Sequence, residues 1–192
     1  MEAQIHRRAL NLNLFGTLSE VINMRSFSNL WYWIVLAVMW STASFWVLGV
    51  PYDIVRRAVA QGGQSERDLQ DILRVNVNRI VYIADMSGIW IVGFGMFGLT
   101  FLGFSGFGYG FQLAQAVFLL AFPMTIVAAL SLRLARRLHA SPLEGAPLYR
   151  ALAVHRVVVQ AIGMVSIFIT ALWGMYQNLA YMVPQHLIRP FG

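Results

Sequence analysis

Residues 101–112 read FLGFSGFGYGFQ, with four glycines, five aromatic residues and no charge. Such a stretch suits no water-soluble core. It suits a tight turn at a membrane surface, where glycine supplies backbone freedom and aromatic rings sit at the lipid headgroups. Its flanks agree. Ile80 to Gly103 carries one charge, Asp85, and Phe111 to Leu132 carries none. Each is long enough for a membrane helix, which needs about 20 largely apolar residues. The stretch therefore reads as an uncharged hairpin between two spans. The functional alternative is a loop that lines a pore or touches a ligand, but no polar group there would fix a ligand.

Two further apolar segments lie outward of this hairpin, Ser26 to Tyr52 and Val157 to Val183, both uncharged. The fold class expected is all-α: four transmembrane helices in an antiparallel bundle, over about 28–60, 65–103, 111–139 and 147–183. Residues 26–192 form that domain. Residues 1–25 form a separate segment, in which Leu14, Phe15, Leu18, Val21 and Ile22 repeat at helical spacing. That spacing predicts an amphipathic helix lying on the bilayer or packed on a partner.

The totals support a membrane class. Hydrophobic residues make up 58% of the 192 and charged residues 11%, against about 25% charged in soluble domains. No cysteine is present, which excludes disulfides and thiolate-held zinc or iron–sulfur groups. All 14 basic side chains are arginine, and the net charge is +6. They are spread between apolar blocks, a pattern that fits membrane orientation and not a nucleic-acid groove. Ten arginines lie in the two long connections and none in 104–111. This predicts cytoplasmic long loops and periplasmic termini, although Arg25 beside the first span argues the other way.

Within the loops, Pro51 marks a kink through which helix one continues to residue 60. Gly62-Gly63 breaks the chain. Ser65 and Asp68 read as a helix start. The first two helices should thus project as a short hairpin. Pro147 suits the first turn of helix four. Pro123 should bend helix three.

Small residues stripe each helix, and membrane helices associate through such faces. Helix four carries Ser166, Thr170 and Gly174. Helix three carries Ala114, Ala121 and Ala128. Helix two carries Ala84 and Gly88, then Gly95, and helix one Ala37, Ser41 and Ser44. These are the expected packing residues, within one bundle, between copies or toward other subunits.

Asp85 is the one ionisable residue well inside an apolar span. An intramembrane acid is a candidate functional group, but transport needs more polar groups at depth than this chain supplies, so the expectation is a structural tie to Tyr82 or to the start of helix four, through His155, Arg156 or Gln160. The histidines His6, His139, His155 and His186 avoid the apolar centres. His139 and His155 could meet at the cytoplasmic turn, but two imidazoles make a poor metal site. No catalytic or metal site is expected, since no nucleophile–base set, zinc motif or phosphate loop occurs. No cofactor is expected either. Lipid contact is, and the aromatic content leaves pigment, haem or quinone contact open.

Residues 22–53, INMRSFSNLWYWIVLAVMWSTASFWVLGVPYD, with DLQDILRVNVNRIVYIA at 68–84, resemble a small four-helix inner-membrane family of alphaproteobacteria, some members of which are labelled a component of the SufBCD complex. The likeness covers most of the chain and lies in run and pattern, not in a catalytic motif. It implies a bacterial inner-membrane location and transfers no site residue. The function expected is a non-enzymatic accessory or assembly subunit of a larger inner-membrane complex, photosynthetic or respiratory, bound to other integral membrane subunits or to itself. The alternative is a small channel or proton-coupled transporter using Asp85.

Overall fold

The structure, a computed structural model, describes Phe27 and residues 30–182, with side chains through residue 180. Segment 1–25, with its expected surface helix, lies outside the described residues, as do His6 and His186. Five α-helices occur in the described chain: α1 (Leu30–Phe45), α2 (Tyr52–Gln61), α3 (Gly63–Gly103), α4 (Gln112–Ala140) and α5 (Gly145–Met182). Three of them, α3, α4 and α5, are long and apolar enough to cross a membrane, and α1 is a shorter apolar helix of 16 residues. The fold is helical, as composition and periodicity predict, but of the four expected spans three have spanning length, because the first apolar segment is divided by the turn after Phe45 and its helix holds 16 residues.

Helix one does not run to residue 60. The chain leaves α1 into β1 (Trp46–Val47), turns, and returns in β2 (Val50–Pro51), with Trp46 opposite Pro51 and Val47 opposite Val50. The turn residues Leu48 and Gly49 have φ of +50° and +75°. Two successive positive values are what a two-residue hairpin with right-handed strand twist requires. Leu48 tolerates a region that side chains disfavour because its side chain is buried, with Val47 and Val50, in the largest apolar cluster. Asn76 of α3 secures the turn by donating to the Gly49 carbonyl at 3.1 Å. Pro51 therefore opens a new helix instead of kinking an old one, since its ring fixes φ and removes a donor.

The break at Gly62 stands, with φ +60° there and +54° at Gly63. Ser65 is not the cap of α3, because the helix already begins at Gly63 and the Ser65 hydroxyl turns back to Gln61 at 3.0 Å. The hairpin of α2 and α3 does not stand free. Val55 and Ala58 of α2 pack with Leu69, Leu73 and Val77 of α3, and these meet Ala135 and Leu138 of α4 and Leu148 and Leu152 of α5. All ten loop arginines lie on the segments that build this end.

At the opposite end, α3 does not stop at Gly103. It continues through one π-turn, Phe104–Gly108, and the reversal is confined to the residues before α4 at Gln112. Gly110 has φ +74°, and the Phe111 amide donates to the Ser105 carbonyl at 3.3 Å. Pro147 does sit in the first turn of α5, and α4 continues unbroken through Pro123.

A second cluster joins α1, α4 and α5: Leu36, Trp40, Val127 and Val159. Here α1 runs antiparallel to α5. Phe27 lies against Gly174, Trp40 lies against Gly163, and the Ser44 carbonyl accepts from Arg156 Nε at 3.2 Å.

Candidate functional site

Membrane helices lack a hydrophobic drive to associate, so close packing and polar contacts decide their arrangement. The packing face expected on α5 is present. Ser166, Thr170 and Gly174 are all buried, and the stripe extends through Gly163, Val159, His155, Leu152 and Leu148. Gly163 is its tightest point, for a Cβ there would lie 2.7 Å from Cε3 of Trp40. Its signal in the sequence was its place three residues before Ser166 on that face.

The other expected stripes are not buried faces of this chain. Ala128 is exposed, while Ala114 and Ala121 are half-buried. The face α4 buries holds Ala116, Pro123, Val127, Ala135 and Leu138. A strict seven-residue repeat drifts about 20° per step on a straight helix, so it does not track one contact line. On α1, Ala37 and Ser41 face outward and the large residues Leu36 and Trp40 are inside. Ala84 and Gly88 are half-buried, yet a Cβ on Gly88 would meet nothing within 4 Å.

Asp85 has a partner in its own chain, but not a predicted one. Arg136 of α4 donates to its Oδ1 at 3.2 Å. The two residues lie at nearly equal sequence distance on either side of Gly110, and the α3–α4 hairpin brings them level. Tyr82 is exposed, Gln160 makes no side-chain hydrogen bond among the described residues, and His155 turns to Ser131 at 3.2 Å. His139 pairs with Asn78 of α3 at 3.0 Å, so the two histidines do not share a site. Arg156, once a candidate partner for Asp85, instead holds Ser44 and lies 4.0 Å above the Tyr52 ring, bracing the exit from α1. The Asp85 and Arg136 side chains are 62% and 56% exposed on the surface of the chain, at its arginine-rich end, and an ion pair that water reaches contributes little. Asp85→Ala is expected to cost less than about 1 kcal/mol, Arg136→Ala the same, and the double variant no more than either. Thermal melts of the four proteins test this, and a clear excess loss in Asp85→Ala alone would show a second role for the acid.

A stronger polar contact went unread. Gln115 is 3% exposed. Its Nε2 donates to the Gly106 carbonyl at 2.8 Å, and its Oε1 accepts from Trp173 Nε1 at 3.0 Å and Gln177 Nε2 at 2.8 Å. The π-turn and α5 are thereby tied to α4. An amide one turn inside an apolar span was the available signal. Gly106 makes the contact feasible, since a Cβ there would lie 2.8 Å from the Gln115 backbone nitrogen.

The largest unpartnered feature is the membrane half of α3. Only 6% of its most apolar window is buried, against 22% for α4 and 28% for α5. Ile89, Trp90, Phe94 and Phe97 are all exposed, and a Cβ on Gly88, Gly93, Gly95 or Gly98 would meet nothing within 4 Å. No group of three or more His, Asp or Glu side chains placed to hold a metal occurs among the described residues. No family model matches this chain, no curated protein matches it, and no solved structure matches it.

Proposed function

We propose that this protein is a non-enzymatic subunit of a larger membrane complex, docking through α3 onto a transmembrane helix of another integral membrane subunit. The observation that carries the reading is the open membrane half of α3. Ala84, Gly88, Gly95 and Gly98 fall on one face, and a Cβ on any of the three glycines would meet nothing within 4 Å among the described residues. Glycine inside a helix costs about 1 kcal/mol relative to alanine. A run of such positions is explained by the close approach of a second helix. The same reading takes α1 as a fourth crossing. From Gly174 beside Phe27 to Arg156 beside Ser44, α5 rises about 27 Å, close to the 30 Å of a hydrocarbon core. The arginine-rich end is then cytoplasmic and both termini periplasmic. The membrane is the bacterial inner membrane that the family resemblance implies.

Purification of the tagged full-length chain in mild detergent tests this. Other subunits are expected to comigrate, and Gly88→Leu with Gly95→Leu should release them without lowering the melting temperature of the chain itself. A stable lone monomer, or undisturbed comigration of that variant, would overturn the reading. The channel or transporter alternative requires Asp85→Asn to abolish flux in proteoliposomes, whereas a docking subunit leaks no more than empty vesicles.

A further inference from the structure

The arginine-rich end holds a groove between α4 and α5 that the helix-packing account leaves unused. Its volume is about 780 Å³, and its lining includes Arg133, Arg137 and Arg150. None of these three side chains has an ion pair or a hydrogen bond among the described residues. The lining contains no carboxylate, and Glu144 faces a different cavity, with Asn78 and His139. Three arginines thus line one groove, and none of them has a carboxylate partner among the described residues.

Beyond them the groove is mostly apolar. Leu130, Val154 and Val158 line it there, and its one other polar side chain, His155, is hydrogen-bonded to Ser131. A second groove of about 550 Å³ follows, lined by Pro123 and Ile126 of α4 and by Ala161, Val165 and Ile169 of α5, with Ser166 its one polar side chain. The two share their faces. On α4, Pro123, Ile126, Leu130, Arg133 and Arg137 recur at three- and four-residue spacing. On α5, Arg150, Val154, Val158, Ala161 and Val165 do the same. One furrow therefore runs from the arginines toward the middle of the spans. From Val154 to Val165 it extends about 16 Å, the depth of one leaflet of a core about 30 Å thick.

We propose that this furrow is a binding site for an anionic phospholipid of the inner leaflet, its phosphate held by Arg133, Arg137 and Arg150 and one acyl chain laid along α4 and α5. The guanidinium fork matches phosphate oxygens in pairs, and basic pockets between transmembrane helices on the cytoplasmic side suit such headgroups. A free phosphate would need the arginines alone, and the apolar furrow argues for an amphiphile. The proposal rests on the reading that the arginine-rich end lies at the inner leaflet, but not on docking through α3.

The test is native mass spectrometry of the full-length chain in detergent, offered phosphatidylglycerol, phosphatidylcholine or inorganic phosphate. Phosphatidylglycerol should be retained at least tenfold over phosphatidylcholine. The variant Arg133→Gln, Arg137→Gln, Arg150→Gln should lose it by on the order of a hundredfold. The control Arg56→Gln, Arg67→Gln, Arg79→Gln removes equal charge outside the furrow and should retain it. Val158→Trp, which fills the furrow and leaves every arginine, should also weaken retention. Equal loss in both arginine variants, or equal retention of the two lipids, would overturn the site. Displacement of phosphatidylglycerol by equimolar inorganic phosphate would make it a free-anion site and overturn the lipid assignment. Binding is read on the isolated chain, so a failure here leaves subunit docking through α3 standing. A lone monomer in the comigration experiment leaves this site standing.

Discussion

Replacing Gly163 by leucine should detach α1 from α5 and give the largest stability loss of any single substitution in the membrane half of the bundle. The Gly163 position faces the broad side of Trp40, where even one Cβ would sit 2.7 Å from a ring carbon. That ring is buried, with Leu36, Val127 and Val159 beside it, so it has no free volume to enter. Overpacking of a well-filled site costs about 1–3 kcal/mol. Alanine is expected within that range and leucine at or above its upper end. Pairing Gly163→Ala with Trp40→Leu should recover part of the loss, because the two residues share one contact and their effects are not additive. Melting temperatures of the four proteins in one detergent measure it. A Gly163→Leu protein that melts with the parent would show that α1 does not lie on α5 at this point.

The second large effect is expected at Gln115. Its amide serves three partners at once, on the π-turn and on α5. Interhelical hydrogen bonds in membranes average only about 0.6 kcal/mol and reach about 1.7. Gln115→Leu, however, also leaves the Gly106 carbonyl, the Trp173 ring N–H and the Gln177 amide without their partner. A buried polar group left unsatisfied costs about 1–3 kcal/mol, which applies in full to the buried Gly106 carbonyl and only in part to the half-buried Trp173 and Gln177. A total loss of about 2–4 kcal/mol is expected. Gln177→Leu removes one of the three bonds and should cost about 0.6 kcal/mol. Equal losses in the two variants would show that Gln115 does not act as a junction. Protease access to the 104–111 turn should rise in Gln115→Leu and not in Gln177→Leu, since only the first releases the Gly106 carbonyl.

Much of the arrangement was legible in the sequence because membrane insertion is a matter of length and apolarity. The spans of α3, α4 and α5 follow from uninterrupted apolar runs, and their ends at Gly62, Gly110 and Ser141–Pro142 follow from breakers. The stripe on α5 was readable for a related reason: Ser166, Thr170 and Gly174 are small at strict four-residue spacing, which a lipid-facing surface does not require. The hairpin at Trp46–Pro51 was not readable. Its turn uses Leu48 at positive φ, and a local rule assigns that region to glycine or asparagine. Only the apolar cluster that receives the Leu48 side chain makes the conformation worth adopting.

The sequence by itself determined that this chain is helical, that its segments over α3, α4 and α5 are long and apolar enough to cross a membrane, and that its ten loop arginines gather at one end; the fourth span it predicted is, in the structure, an apolar helix of 16 residues. Those properties depend on residues within one segment and on their transfer from water. It did not determine which face of each span meets protein. In lipid, a leucine against a neighbouring helix and a leucine against an acyl chain are chemically alike, so Ala128 and Gly88 look like contacts within the bundle, yet Ala128 is exposed and a Cβ on Gly88 would meet nothing within 4 Å among the described residues. The partners of Asp85 and Arg156 were equally out of reach, because they depend on how far each hairpin places one helix along another. Only the tertiary structure decided that Asp85 stands level with Arg136, that Arg156 braces the exit from α1, and that the membrane half of α3 stands clear of its own bundle.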